Sequence, residues 1–364
     1  MGFCLRIAVL GGGNGAHQMA ADLTLAGLKV NMFEMPRFKE NVEKLLRTGE
    51  IETFGGAREG KARLNMASTD IEKVLEDVKH IFIVVPAFAH RPYAELLASY
   101  LKRDQTVTLF PGTLGTLEFV KVLRDEGVTW DLTVAETDTL PWACRLVAPA
   151  TVKVYHTLKR FGVGVFPSKR SRRVTEFLEK IFPIFTHPDV ISCGLSSLNP
   201  TLHAASVLLN VGRIEYSRGE FYLYEEGITP SVARVVKAVD KERLAIGKAW
   251  GYDLTPVEED LYLSGYGPKG NLWQAVRGSS LTFIKGPTSI ESRYLTEDVP
   301  YGLVPWVGLA GLVGLDVPVM KSVVWIVSAL HGRDYWSEGR TLEKLGISDL
   351  SVEEIKRFVA EGEK

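Results

Sequence analysis

The stretch LRIAVLGGGNGAHQMAADLTLAGLKVNMFE, residues 5–34, sets the reading of the whole chain. Ile7 to Leu10 form an apolar run of strand type, and Gly11-Gly12-Gly13-Asn14-Gly15-Ala16 follows at once. Met19, Ala20 and Leu23 then recur at helical spacing up to Gly27, a helix-stop residue; Lys29 to Phe33 make a second strand, closed by Glu34. The pattern is G-x-G-x-x-A between strand and helix, with an acid 21 residues after Gly13. Each part has a mechanical reason. Gly11 permits the tight turn, Gly13 lets the backbone approach a pyrophosphate, and Ala16 is small enough for helix and strand to pack closely. Asn14 and Gly15 open the helix, whose free N–H groups and positive dipole end suit phosphate. Glu34 is placed to accept from the hydroxyls of an adenosine ribose. The stretch predicts dinucleotide binding. A carboxylate repels a 2′-phosphate, so Glu34 favours NAD, while Arg37, three residues on, keeps NADP open.

Outward from this unit, strands and helices alternate. HIFIVVPAFAH (80–90) and TVTLFPG (106–112) read as buried strands, PYAELLASYL (92–101) and GTLEFVKVLRDEG (115–127) as helices, and LTVAET (132–137) as a third strand. That order implies a parallel sheet with helices on both faces. Ligands of such sheets bind beyond the carboxyl ends of the strands. One end is Pro86-Ala87-Phe88-Ala89-His90, where Pro86 is assigned to the cofactor and His90 is either a ligand or a helix-flanking residue of a turn. Another carries Glu136, read as a substrate contact facing the cleft. CRLVAPATVKVYHTLKRFGVGVFPS (144–168) alternates like paired antiparallel strands, with Ala148-Pro149-Ala150 and Arg160-Phe161-Gly162 as turns. A helix at 171–183 and a strand-like DVISC (189–193) complete a dinucleotide-binding domain of residues 1–192.

From 193 to 364 the text is helical. Asn199-Pro200 offers a cap and a first-turn proline, Thr229-Pro230 opens a helix that Gly251 closes, and Ser351 with Glu354 forms a capping box. YGLVPWVGLAGLVGLDVPVMKSVVWIVSAL (301–330) has the length and apolarity of a membrane span, but Asp316, Pro318 and Lys321 interrupt it. Two buried helices explain it better. The fold class is therefore α/β, a Rossmann-type doubly wound parallel sheet followed by an all-helical domain, with a site expected in the cleft between them. The 364 residues are too many for one ordinary core. A net charge of −1 gives no basic surplus for nucleic acid. Cys4, Cys144 and Cys193 are isolated, so neither a disulfide framework nor a metal site is indicated. No signal peptide precedes the first strand, which predicts a cytoplasmic protein. The apolar helices near 302–330 point to a homodimer.

One residue stands apart. His203 sits in LSSLNPTLHAASVLLN (195–210), a helix that is otherwise almost entirely Leu, Ala and Val. An ionisable group there is either satisfied within the core or placed for chemistry, and the residues alone leave both open. GGGNGAH, VPAFAH, AETDTLPWACR, NPTLHAA and RYLTEDVPYGLV, taken in order over nearly the whole chain, resemble the opine dehydrogenases of the octopine/nopaline group. The resemblance implies that His203 and Asp298 form a catalytic pair. It also implies reductive condensation: an amino acid's amine joins a 2-oxo acid such as pyruvate, and a nicotinamide hydride reduces the imine to a secondary-amine dicarboxylate. Asp298 would hold one ring nitrogen of His203 while the other exchanges protons with the reacting centre. Two anionic substrates need cations. Arg293 either grips a substrate carboxylate or pairs with Glu291 or Glu297 at the surface, and Tyr301 and Trp306 either line the same pocket or belong to the core. The rival is a ketopantoate- or glycerol-3-phosphate-type dehydrogenase, with a catalytic lysine among Lys237, Lys241 and Lys248. A nucleotide-binding sensor without chemistry is the rival of another class.

Overall fold

The computed structural model describes residues 6–363, so Cys4 lies outside the described residues. The chain divides into two compact units, one running to Val190 and taking in Ala360–Gly362, the other covering Ile191–Val359. Among the described residues the first unit carries twelve strands. They are β1 Arg6–Leu10, β2 Lys29–Phe33, β3 Glu50–Phe54, β4 Gly60–Arg63, β5 Met66–Ser68 and β6 His80–Ile83. After them come β7 Thr106–Leu109, β8 Val134–Thr137, β9 Trp142–Ala148, β10 Thr151–Thr157, β11 Phe161–Phe166 and β12 Ile184–Thr186.

Eight of these strands form one sheet in the order β12-β11-β8-β7-β6-β1-β2-β5. All neighbours are parallel except β11 with β8. Ile7–Leu10 and Ile81–Ile83 are fully buried, as expected of strands covered on both faces, which read as unbroken apolar runs rather than alternation. The chain leaves β1 for β2 on one side and returns to β6 on the other, so the topology switches beside the carboxyl end of β1. The glycine turn lies there.

A smaller sheet, β4-β3-β10-β9, covers the outer face of the helix Asn14–Leu25. Three polar contacts fix it. Thr53 Oγ1 donates to Gln18 Oε1 at 2.6 Å, Arg58 pairs with Asp22 at 2.6 Å, and the Leu146 N–H donates to Asn14 Oδ1 at 2.8 Å. The turn expected at 148–150 does join antiparallel β9 and β10. The one expected at 160–162 does not exist: Phe161 and Gly162 begin β11, which joins the large sheet. DVISC is not a strand either. Val190–Leu195 is helical, with Val190, Ile191, Cys193 and Leu195 all fully buried. A short apolar run buried all round carries no period by which to tell helix from strand.

The second unit is helical. Leu198–Leu208, Pro230–Trp250, Val304–Leu312 and Pro318–His331 supply most of its core. Thr229 accepts the Val232 N–H and Gly251 closes the same helix in the left-handed conformation. The Ser351–Glu354 capping box forms. The cap of Leu198–Leu208, however, is Ser197 and not Asn199, which lies inside the first turn with Pro200. Arg243 is buried whole: it donates to Asp240 at 2.6 Å and to the carbonyls of Leu195 and Thr255, the pairing that makes a buried guanidinium tolerable. The apolar text of 301–330 is two helices broken at Asp316–Pro318. Among the described residues no helix is long and apolar enough to cross a membrane.

Candidate active site

The glycine turn meets the demands read from it. Gly11 has φ +124°, and a side chain there would collide with the Val84 carbonyl. Gly13 caps the helix Asn14–Leu25 with no side chain over its first N–H groups and open space beside it. Gly15 lies against Val84 and Leu140, and Ala16 is fully buried under the strand. Asn14 does not offer its amide oxygen to a ligand, because β9 uses it. His17, one turn in, donates from Nδ1 to the Gly13 carbonyl at 3.1 Å and fastens the turn; burial lowers its pKa.

Glu34 ends β2 with its carboxylate beside Gly12, where any Cβ would overlap Oε2. Its Oε1 accepts the Met35 N–H at 2.7 Å and the Tyr93 hydroxyl at 3.0 Å. Burial raises the pKa of this carboxyl, against the hydrogen bonds that favour its charge. An acid fixed in orientation beside the glycine turn, next to a helix start without a side-chain cap, is the arrangement that dinucleotide binding requires. Arg37 is exposed, lies over Phe38 and donates to the Met35 sulfur rather than to Glu34. Pro86 ends the β6 segment, half-buried, ahead of the turn Ala87–Ala89.

In the second unit, His203 and Asp298 meet across 95 residues of sequence. Nδ1 of His203 donates to Asp298 Oδ2 at 2.8 Å, and both side chains are largely buried. The carboxylate fixes the tautomer, leaving Nε2 of the neutral ring as an acceptor. Two further side chains complete the surroundings. The Tyr224 hydroxyl lies 2.8 Å from Nε2, and the Tyr294 ring lies 4.3 Å from the imidazole, tilted by 52°. Sequence reasoning named neither. Tyr294 had a signal, since four residues separate it from Asp298 on a helical stretch; Tyr224 had none.

The remaining candidates fall on both sides. Arg293 is 58% exposed and holds Glu297 only at 3.4 Å, a loose surface pair that leaves most of its fork open. Tyr301 is half-buried, with the guanidinium of buried Arg340 over its ring. Trp306 is core: it is fully buried and donates to the Gly194 carbonyl. Glu136 requires a correction. It is fully buried, and its two oxygens accept the N–H groups of Leu114 and Thr116 at 2.9 and 2.8 Å. Its carboxylate caps the helix Gly115–Asp125 and holds the left-handed pair Thr113-Leu114, so no substrate reaches it. His90 is likewise fully buried, against Gly115. The lysines of the rival reading are not poised for catalysis. Lys237 is clamped by Glu258 at 2.7 Å and Asp240 at 3.1 Å. Burial opposes its charge, yet these partners hold its pKa above the usual lysine value. Lys241 and Lys248 are exposed. Among the described residues no cluster of His, Cys, Asp or Glu has the makings of a metal site.

A glycine-turn α/β unit followed by a helical unit with a buried His–Asp pair defines a two-unit NAD(P)-dependent dehydrogenase. Comparison with known proteins narrows this. The family model for the α-helical domain of NAD/NADP octopine/nopaline dehydrogenases matches residues 186–331. An opine dehydrogenase of Arthrobacter sp. (strain 1C) is 35% identical over 97% of this chain and 98% of its own. The vitopine synthase of Allorhizobium ampelinum is 26% identical over 94% and 95%. Octopine dehydrogenase, solved with NADH and L-arginine, has the same fold with a TM-score of 0.78 at 19% identity, covering 99% of this chain and 98% of its own. A ketopantoate reductase from Ralstonia eutropha superposes less well, at 0.61 with 17% identity over 90% and 99%. The chain belongs to the opine dehydrogenase family.

Proposed function

We propose that this protein joins the amine of an amino acid to a 2-oxo acid and reduces the product with NADH, and that it runs the reverse reaction. The observation that carries the reading is the His203–Asp298 pair, 2.8 Å apart in an apolar helical unit. The amine and the carbonyl lose one water to give an imine. A dinucleotide held at the glycine turn would supply the hydride, and one proton completes the secondary amine. His203 takes the ammonium proton and returns one to the departing oxygen, with Asp298 holding the imidazole and offsetting its charge. Arg293 grips a substrate carboxylate in two places, its weak pairing with Glu297 leaving it available. Tyr301 borders the pocket.

Gly11, Gly13, Gly15 and Ala16 bring the backbone to the pyrophosphate, and Glu34 takes the ribose. The fixed Glu34 carboxylate favours NAD over NADP, because the exposed Arg37 does not neutralise it. Reduced NAD is regenerated by metabolism inside the cell, which supports a cytoplasmic location. Trp325, Ile326 and Leu330 are exposed along Pro318–His331, with Trp336 against Trp325; this apolar stripe supports a homodimer. Light scattering should then give twice the chain mass, and the mass of a single chain would reject it. The decisive experiment crosses amino acids with pyruvate and other 2-oxo acids, follows NADH oxidation and weighs the product. A product equal to amine plus oxo acid, less water and plus two hydrogens, is expected. Bound NADH that no pair oxidises would leave the sensor reading instead.

A further inference from the structure

His203 is held on three sides, and only one of its holders has been given a role. Asp298 takes Nδ1, the Tyr294 ring lies against the imidazole, and the Tyr224 hydroxyl closes on Nε2 at 2.8 Å. Nε2 is the nitrogen that the reaction needs. Tyr224 itself is buried, at 4% exposure, in the wide π-type turn Leu223–Gly227. Asp298 stands directly before a second such turn, Val299–Leu303. Turns of this kind are rare and concentrate at functional sites, since the extra residue re-aims a side chain. Both polar partners of one imidazole are delivered this way.

We propose that Tyr224 is a positioning residue for His203, an inference that rests on the acid–base role given to that histidine above. With Nδ1–H committed to Asp298, Nε2 of the neutral ring carries a lone pair, and the Tyr224 O–H donates to it. The imidazole is thereby held at both nitrogens in one plane, and a ring flip would break both bonds at once. The reacting oxygen must approach the same nitrogen, so the hydroxyl keeps the base aimed until substrate takes its place. Other charged groups near this helix are engaged elsewhere. Lys237, Asp240, Arg243 and Glu258 bind one another, Glu242 caps Pro318–His331, and His331 bonds Tyr335, while Arg293 is exposed and only loosely paired with Glu297. Asp298, Tyr224 and Tyr294 are the ionisable groups seen against the ring.

The test removes one oxygen. Tyr224→Phe keeps the aromatic ring packed, and kcat should fall about tenfold, the weight of one well-placed hydrogen bond. The KM for the oxo acid should not rise, and NADH affinity should not change. A second readout needs no turnover. In the free enzyme labelled with 15N-histidine (seven histidines in all), the His203 Nε2 resonance should move downfield in Tyr224→Phe. Should that variant not fold, 3,5-difluorotyrosine at position 224, a stronger donor, should move the same resonance upfield. A Tyr224→Phe enzyme with wild-type kcat, or an Nε2 resonance that neither change moves, overturns the proposal. If no amine and oxo-acid pair is turned over at all, the proposed reaction fails, while the resonance still judges Tyr224 independently.

Discussion

Among the described residues two buried histidine–aspartate pairs occur, one in each unit, and their surroundings differ. In the second unit His203 meets Asp298 at 2.8 Å, and side chains alone hold it, through Asp298, Tyr224 and Tyr294. In the first, His187 Nε2 meets Asp138 Oδ2 at 3.2 Å, and the same oxygen accepts the Gly162 N–H at 2.8 Å. Backbone bonds tie that pair into the sheet: the His187 N–H donates to the Val163 carbonyl and the Asp138 N–H to the Gly162 carbonyl, while the Phe185 ring lies edge-on to the imidazole. Gly162 has no side chain because a Cβ would overlap both the imidazole and the carboxylate. One pair fills a gap between β11 and the ends of β8 and β12. The other has its second nitrogen against a side-chain hydroxyl, that of Tyr224. Identical residue types thus take different work from what lies next to them, and an inventory of His–Asp pairs would not separate the two.

The largest expected difference is catalytic. His203→Ala should lower kcat about 10³-fold, the usual weight of a general acid–base group, with NADH affinity by fluorescence titration unchanged. His187→Ala should keep its turnover and instead lose about 2 kcal/mol of stability in urea. A stable His187→Ala protein as inactive as His203→Ala would erase the contrast.

A smaller effect tests the gap-filling role. Gly162→Ala forces a methyl group into the paired side chains and should cost about 1–3 kcal/mol. Removing the imidazole makes room, so the same change in a His187→Ala background should cost less than it does alone. Strict additivity in that double-mutant cycle would mean that the glycine is required for some other reason.

How far these features were legible from sequence follows from the range of the interactions. GGGNGAH could be read because turn, helix start and distant acid are constraints of a single βαβ unit, each tied to a residue type. The pair His203–Asp298 spans 95 residues and answers to no spacing rule, so it was reachable only through the resemblance of NPTLHAA and RYLTEDVPYGLV to a known family. Glu136 was correctly placed at a strand end, but the sequence does not say which way its carboxylate turns, and it turns to the helix start at Gly115. The small sheet went unread although EIETF-GGAREG-KAR alternates on either side of a glycine-rich turn, the ordinary mark of a hairpin. Tyr224 reaches His203 only through the packing of a π turn on a helix, and no local pattern records that.

A third histidine, half-buried with no carboxylate against it, sharpens the comparison with the smallest effect. His80 begins β6 and stacks on Phe177 at 3.6 Å and 19°. Its pKa is pushed down to about 4, first by burial and then by the charges of Arg173 and Lys79. The unfolded chain titrates this group near 6.5. Above that pH the ring is neutral in both states and its full contribution to stability is present. As pH falls from about 6.5 to about 4 the unfolded chain takes the proton first, so stability is lost across that window. The loss should amount to about 1–2 kcal/mol once the partial solvent access of the ring is allowed for. His80→Phe keeps a stacked ring and removes the titration. Urea midpoints at pH 7.5 and pH 5 should therefore draw apart more in the wild type than in the variant, whatever the carboxylates contribute to both. Equal shifts would mean that His80 is protonated within the fold, and that a histidine in this protein can be buried with its charge even where no aspartate answers it.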